Sequence, residues 1–235
     1  MISASFRQRF RATIEAPVAR AFKRTGLSPN ALTLIGFAIA VVGAGLAAAQ
    51  SWLLAGLIVA FGAVFDLFDG ALARATGKTS KFGAFLDSTM DRAGEAVVYI
   101  GIALGLMAAY RISPAGALNL TTQADTNLGV LAALAALAAS FMVSYTRAKS
   151  ESLGFSSGTG MGNVGLAPRE VRTIILTLGL IAAGLAPAPG ALDITWWYVL
   201  VGALGLIAIL ATVTAIQRIY FVYRQPQSTT QEAQK

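Results

Sequence analysis

Six long apolar stretches organise the chain, at about 31–50, 52–74, 82–110, 126–149, 170–187 and 195–223. Each is near the ~20 residues that a helical membrane span requires. A different pattern precedes them. Phe6, Phe10, Ile14, Val18 and Phe22 recur every four residues, with Arg7, Arg9, Arg11, Arg20, Lys23 and Arg24 around the rest of the wheel. This predicts an amphipathic helix lying on an anionic leaflet, bent near Pro17. The same basic residues interrupt the apolar core that a signal peptide would need. The expectation is an all-α integral membrane protein. It has an N-terminal interfacial helix over 1–25, a six-span domain over 26–224 and a disordered polar tail over 225–235.

Composition agrees with that pattern. The 235 residues are 56% hydrophobic and 12% charged, with a mean hydropathy of +0.66. These values belong to polytopic membrane proteins and leave no polar stretch for a second, soluble domain. The net charge is +7, and its distribution is uneven. Arg74, Lys78 and Lys81 surround the second connection, and Arg147, Lys149, Arg169 and Arg172 surround the fourth. The first and fifth connections carry no basic residue, and the third only Arg111. The positive-inside rule therefore places both termini and the basic connections in the cytoplasm, with the protein in the plasma membrane. The basic excess is accounted for by this topology, and no nucleic-acid partner is expected. Cysteine and histidine are absent, which excludes disulfides, thiol nucleophiles, the usual zinc sites and histidine triads. A general base must then be a carboxylate, a lysine or a tyrosine.

Only eleven residues are acidic, and Asp66, Asp69, Asp87 and Asp91 fall within apolar sequence at the end of one span and the start of the next. A carboxylate in a span is costly unless paired, metal-bound or functional. Asp66 and Asp69 share one helix face, and Asp87 and Asp91 share another. With ~1.5 Å of rise per residue, Asp69 and Asp66 lie about 7 and 12 Å inward from Arg74. By the same rise, Asp87 and Asp91 lie about 9 and 15 Å inward from Lys81. As antiparallel neighbours, the two helices would bring all four acids to one shallow depth on the cytoplasmic side. Such a cluster needs a counter-charge, and hard divalent cations bound by oxygen suit both it and phosphoryl chemistry. Salt bridges to Arg74, Arg92 and nearby lysines are a weaker explanation, because few cations sit at that depth. A cation transporter is the alternative of another class, although transport sites tend to lie near the midplane.

The spacing D-x2-D-G-x2-A-R-x8-G-x3-D-x3-D is complete in Asp66, Asp69, Gly70, Ala73, Arg74, Gly83, Asp87 and Asp91. It resembles the signature of the CDP-alcohol phosphotransferase family. Leu27-Ser28-Pro29-Asn30-Ala31-Leu32-Thr33 is similar to the family's segment before the first span, and the six-span layout also matches. The resemblance implies transfer of the phosphatidyl group of CDP-diacylglycerol to an alcohol, with release of CMP. It implies that Asp66, Asp69, Asp87 and Asp91 hold two Mg2+ or Mn2+ ions, with Asp91 also the base. Asn30, Thr33, Asp66, Gly70, Ala73 and Arg74 would bind the CDP moiety. A homodimer surrounded by membrane lipids is also implied.

The acceptor must be read from the basic residues. Ser144-Tyr145-Thr146-Arg147-Ala148-Lys149, Pro168-Arg169-Glu170-Val171-Arg172 and Gln217-Arg218 can all reach the cytoplasmic end. Arg147, Lys149, Arg169, Arg172 and Arg218 suggest an acceptor that itself carries phosphate. These segments are similar to those of phosphatidylinositol phosphate synthases, whose acceptor is inositol 1-phosphate. The order of Arg147 and Lys149, and the placing of charge after Pro168, depart from that pattern. Glycerol 3-phosphate and free inositol therefore stay open.

Overall fold

A computed structural model describes residues 26–111, 122–155, 164–186 and 195–225. The expected interfacial helix over 1–25 and nearly all of the tail lie outside the described residues. Six helices follow in order: α1 Pro29–Ala48, α2 Trp52–Thr76, α3 Lys81–Arg111, α4 Gln123–Ser152, α5 Arg169–Leu185 and α6 Thr195–Tyr223. No strand is present among the described residues. The apolar stretches map onto these helices one for one, and the helices overrun the stretches at polar ends. α4, for example, begins at Gln123 because Thr122 and Asp125 form a reciprocal capping box. Among the described residues, five helices are long and apolar enough to cross a membrane. The exception, α5, has 17 residues, about 26 Å at 1.5 Å per residue. It ends at Leu185, where Ala186 turns extended, rather than at 187. This is a multi-pass membrane protein.

Local chemistry sets the helix ends around the basic rim. Ser28 caps α1, its hydroxyl accepting from Ala31 N at 3.2 Å, and Pro29 occupies the first turn, where no amide donor is needed. α2 closes on Gly77 in the left-handed conformation at φ 66°, which glycine adopts without penalty. Ser80 then opens α3 by accepting from Gly83 N at 2.9 Å.

The packing is a closed ring in which α1 touches α2 and α3, α3 touches α4, α4 touches α6, α6 touches α5, and α5 touches α2. This differs from the expectation that α2 and α3 are immediate neighbours. α1 packs on both instead, so the acids of α2 and α3 face each other across an interior space. Small residues cause the difference. A Cβ at Gly101 or Gly105 of α3 would lie 2.3 or 2.2 Å from the carbonyl oxygens of Ala44 and Ala47 of α1. The end of the bundle away from the acids is closed by apolar packing, with Trp52 stacked on Trp196 at 5.9 Å between centroids. Ile102, Leu106, Leu200 and Leu204 are buried in the same core. Gly105→Val should therefore lower stability by about 1–3 kcal/mol through overpacking against backbone. Thermal unfolding in detergent checks this, and an unchanged midpoint would contradict the α1–α3 contact.

Candidate active site

Two adjoining cavities open at the basic end of the ring, and Thr33 lines both. The first is bounded by α1, α2, α3 and α5 and holds Asp66, Asp91, Glu95 and Arg169 above an apolar floor that includes Phe37 and Val98. The second holds Asp69, Asp87, Asn30, Gly70, Arg74 and Lys78. The four aspartates are thus gathered where two cavities meet, although they stand on helices that do not pack tightly together.

Three of the four carboxylates have defined partners. Arg169, in the first turn of α5, donates from Nη2 to Asp66 Oδ2 at 2.7 Å and pairs through Nη1 with Asp91 Oδ2 at 2.6 Å. One guanidinium therefore bridges α2 and α3. Asp69 is buried, accepts from Thr33 Oγ1 at 2.7 Å and also takes the amide hydrogen of Gly70. Asp87 stands with Asp69 in the wall of the second cavity. Gly36 explains how α1 comes so close, since a Cβ there would lie 2.7 Å from Asp66 Oδ1. Gly83 does the same near Asn30, whose Oδ1 would be 3.3 Å from an added Cβ. Asp66 and Asp91 do form salt bridges, with Arg169 of α5, a cation that the sequence did not single out for this pairing.

The second cavity sets groups that suit an anion beside Asp69 and Asp87. It receives the N-terminal turns of α1 and α3, through Pro29, Asn30 and Gly83, and the cationic end of α2, through Arg74 and Lys78. Helix N-termini present amide donors and the positive end of the helix dipole. Ser80 and Thr79, also in its wall, were not singled out from the sequence, because hydroxyls in a loop carry no pattern.

The remaining basic residues divide by environment. Arg147 is exposed and pairs with Glu151 at 2.8 Å, and Lys149 is exposed on the same helix end. Arg218 is buried and donates from Nε to Val164 O at 3.0 Å and from Nη1 to Val143 O. Arg172, assigned from the sequence to the acceptor, faces elsewhere. It is 1% exposed, and its guanidinium is taken up by Glu95 and by Ala167 O. A guanidinium at that depth has to be paired, and the acid that pairs it continues the i, i+4 series of Asp87 and Asp91. Glu95 was missed, although that spacing signals it.

The donor set suits a hard divalent cation: carboxylate oxygens, backbone, a hydroxyl and no nitrogen or sulfur ligand. Among the described residues no three acidic side chains are drawn to ligating distance of one point. Instead the Arg169 charge lies between two of them, which shows that the position attracts a cation. Asp66, Asp69, Asp87 and Asp91 are the residues that would hold such ions.

The model of the CDP-alcohol phosphatidyltransferase family matches residues 26–181. The chain is 37% identical over 215 residues to the archaetidylinositol phosphate synthase of Pyrococcus horikoshii, covering 90% of this chain and 94% of that protein. It is 32% identical over 221 residues to the phosphatidylinositol phosphate synthase of Mycobacterium tuberculosis, covering 92% and 88%. The crystal structure of a Mycobacterium tuberculosis phosphatidylinositol phosphate synthase with CDP-diacylglycerol bound superposes with a TM-score of 0.74 at 29% identity, over 94% of this chain and 98% of that one. A structure of the same enzyme in complex with manganese and citrate gives a TM-score of 0.74 over 94% of each chain.

Thr33→Val removes a hydroxyl that orients Asp69. It should weaken Mn2+ binding by about tenfold, the usual scale for an outer partner of a metal ligand. Electron paramagnetic resonance of free Mn2+ measures this, and unchanged binding would separate Asp69 from any ion.

Proposed function

Because the chain belongs to the CDP-alcohol phosphatidyltransferase family, we propose that it transfers the phosphatidyl group of CDP-diacylglycerol to a hydroxyl of inositol 1-phosphate. The products are phosphatidylinositol phosphate and CMP. The observation that carries this reading is Arg169, which stands in the acid cluster and joins Asp66 to Asp91. A cation in contact with the base is where a phosphate-bearing acceptor would dock, because its charge and its hydroxyl are then recruited together.

In this reading the cytidine diphosphate occupies the second cavity. The N-terminal turns of α1 and α3, Asn30, Thr33, Gly70, Ala73 and Arg74 receive it. Two divalent ions, Mg2+ or Mn2+, held by Asp66, Asp69, Asp87 and Asp91, would supply charge neutralisation on the diphosphate. Arg169 draws in the acceptor phosphate, and the exposed Arg147 and Lys149 are the further cations proposed for it. Asp91 takes the proton from the acceptor hydroxyl. That oxygen forms a bond to the phosphatidyl phosphorus, and the bond from that phosphorus to the CMP oxygen breaks, the electron pair leaving with CMP. The lipid tails lie against the apolar floor of the first cavity. The protein acts as a homodimer in the plasma membrane with this site open to the cytoplasm, and the basic rim supports that orientation.

Purified protein should be supplied with CDP-diacylglycerol, a divalent ion and one alcohol at a time. Inositol 1-phosphate should give phosphatidylinositol phosphate by mass spectrometry. A chelator should stop CMP release, and Mg2+ or Mn2+ should restore it. Phosphatidylglycerol phosphate or phosphatidylinositol as the main product would transfer the assignment to glycerol 3-phosphate or free inositol. Absence of CMP release with every alcohol would leave the transporter reading. A CDP-activated ether lipid, tested beside the diacyl donor, identifies the preferred tail. Arg169→Ala should raise the acceptor KM by about tenfold to a hundredfold, the scale of a lost charge-assisted hydrogen bond. The KM for CDP-diacylglycerol should stay within about twofold, since Arg169 does not line the cavity proposed for the cytidine diphosphate.

A further inference from the structure

We propose that Glu95 and Arg172 are positioning residues for this reaction: their buried ion pair fixes the first turn of α5 against α3 and so holds Arg169 beside Asp91. The inference rests on the proposed reading of Arg169 as the acceptor's phosphate contact. α3 presents Asp91 and Glu95 one turn apart, and α5 presents Arg169 and Arg172 at i, i+3 spacing. Both elements therefore show successive charges on one face. The charges meet as two rungs. Arg169 Nη1 pairs with Asp91 Oδ2 at 2.6 Å. Arg172 donates from Nε to Glu95 Oε1 at 3.0 Å and from Nη2 to Glu95 Oε2 at 3.1 Å.

The two rungs differ in access. The Arg169 side chain is 31% exposed and lines the open cavity, so substrate can replace its carboxylate partners. The Arg172 side chain is 1% exposed and that of Glu95 9%. A forked, enclosed pair of this kind keeps one geometry, because moving either partner would strand the other's charge.

A third contact extends the clamp. Arg172 Nη1 donates to Ala167 O at 3.0 Å, fixing the segment that leads into α5. The amides of Leu166 and Ala167 both donate to Thr214 Oγ1 of α6, at 3.1 and 2.9 Å. Gly165, at φ 116°, permits that approach, since a Cβ there would lie 2.2 Å from Thr214 Cγ2. Thr214, the 165–167 segment, Arg172 and Glu95 therefore form one path from α6 to α3, with Arg169 at its open end. Glu95 also lines the cavity that holds Asp91, so a shift of the lower rung reaches the reacting groups directly.

The test compares Glu95→Gln, Arg172→Lys and Thr214→Val with Arg169→Ala. Each is measured for unfolding temperature and for KM toward inositol 1-phosphate and CDP-diacylglycerol separately. Thr214→Val leaves the buried ion pair intact and so covers the case in which the ion-pair variants do not fold. Misplacing Arg169 should raise the acceptor KM by about tenfold or more, with the donor KM within about twofold. A merely structural pair would lower the unfolding temperature and leave both KM values of the folded fraction alone. Folded Glu95→Gln, or folded Thr214→Val, with wild-type acceptor KM would overturn the positioning role while a raised KM in Arg169→Ala kept the acceptor reading. An unchanged acceptor KM in Arg169→Ala would overturn both.

Discussion

Carboxylates held among apolar helices demand positive charge, and much of this molecule is arranged around that demand. Asp66 and Asp91 meet it with Arg169, Asp69 meets part of it with the Thr33 hydroxyl and the Gly70 amide, and Glu95 meets it with Arg172. The oxygens that remain suit a divalent ion. Without such partners, acids at this depth would take up protons or open the bundle to water. The same charge requirement serves chemistry. A place that holds cations against a cluster of acids can also hold a diphosphate and a deprotonating hydroxyl.

The ring of helices is the means by which acids on separate helices come to line two adjoining cavities. α2 and α3 are adjacent in sequence, yet α1 packs on both. The close approach of α1 rests on glycines. Gly101 and Gly105 admit its carbonyl backbone, and its own Gly36 leaves room for Asp66. α5 closes the ring beside α2 and contributes its N-terminal turn, with Arg169, rather than a full-length span. Its 17 residues place that turn within the bundle end. Tight apolar packing around Trp52 and Trp196 then leaves the basic end as the open one.

Much of this was legible in the residues. The apolar periodicity marked six helices, and the spacing of Asp66, Asp69, Asp87 and Asp91 marked the site and its family. Three features were not legible, each for a physical reason. Helix adjacency depends on which small residues face which backbone, so the α1–α2–α3 arrangement was read as a simple α2–α3 pair. Burial is a tertiary property, so Arg172 and Arg169, three residues apart, looked equivalent although one faces Glu95 and the other the acids of the cavity. Glu95 fell outside the motif and was passed over, despite continuing its spacing by one turn. The expected N-terminal interfacial helix and nearly all of the expected tail concern residues that the structure does not describe.

The central claim is that the four aspartates form one metal-dependent transfer site in which Asp91 is the base. It is tested most directly by Asp91→Asn in single-turnover experiments with CDP-diacylglycerol, inositol 1-phosphate and Mn2+. The account predicts that the donor still binds, while CMP release slows by about 10²–10⁴-fold, the range for loss of a positioned base. CMP release by a folded Asp91→Asn protein at the wild-type rate would contradict it.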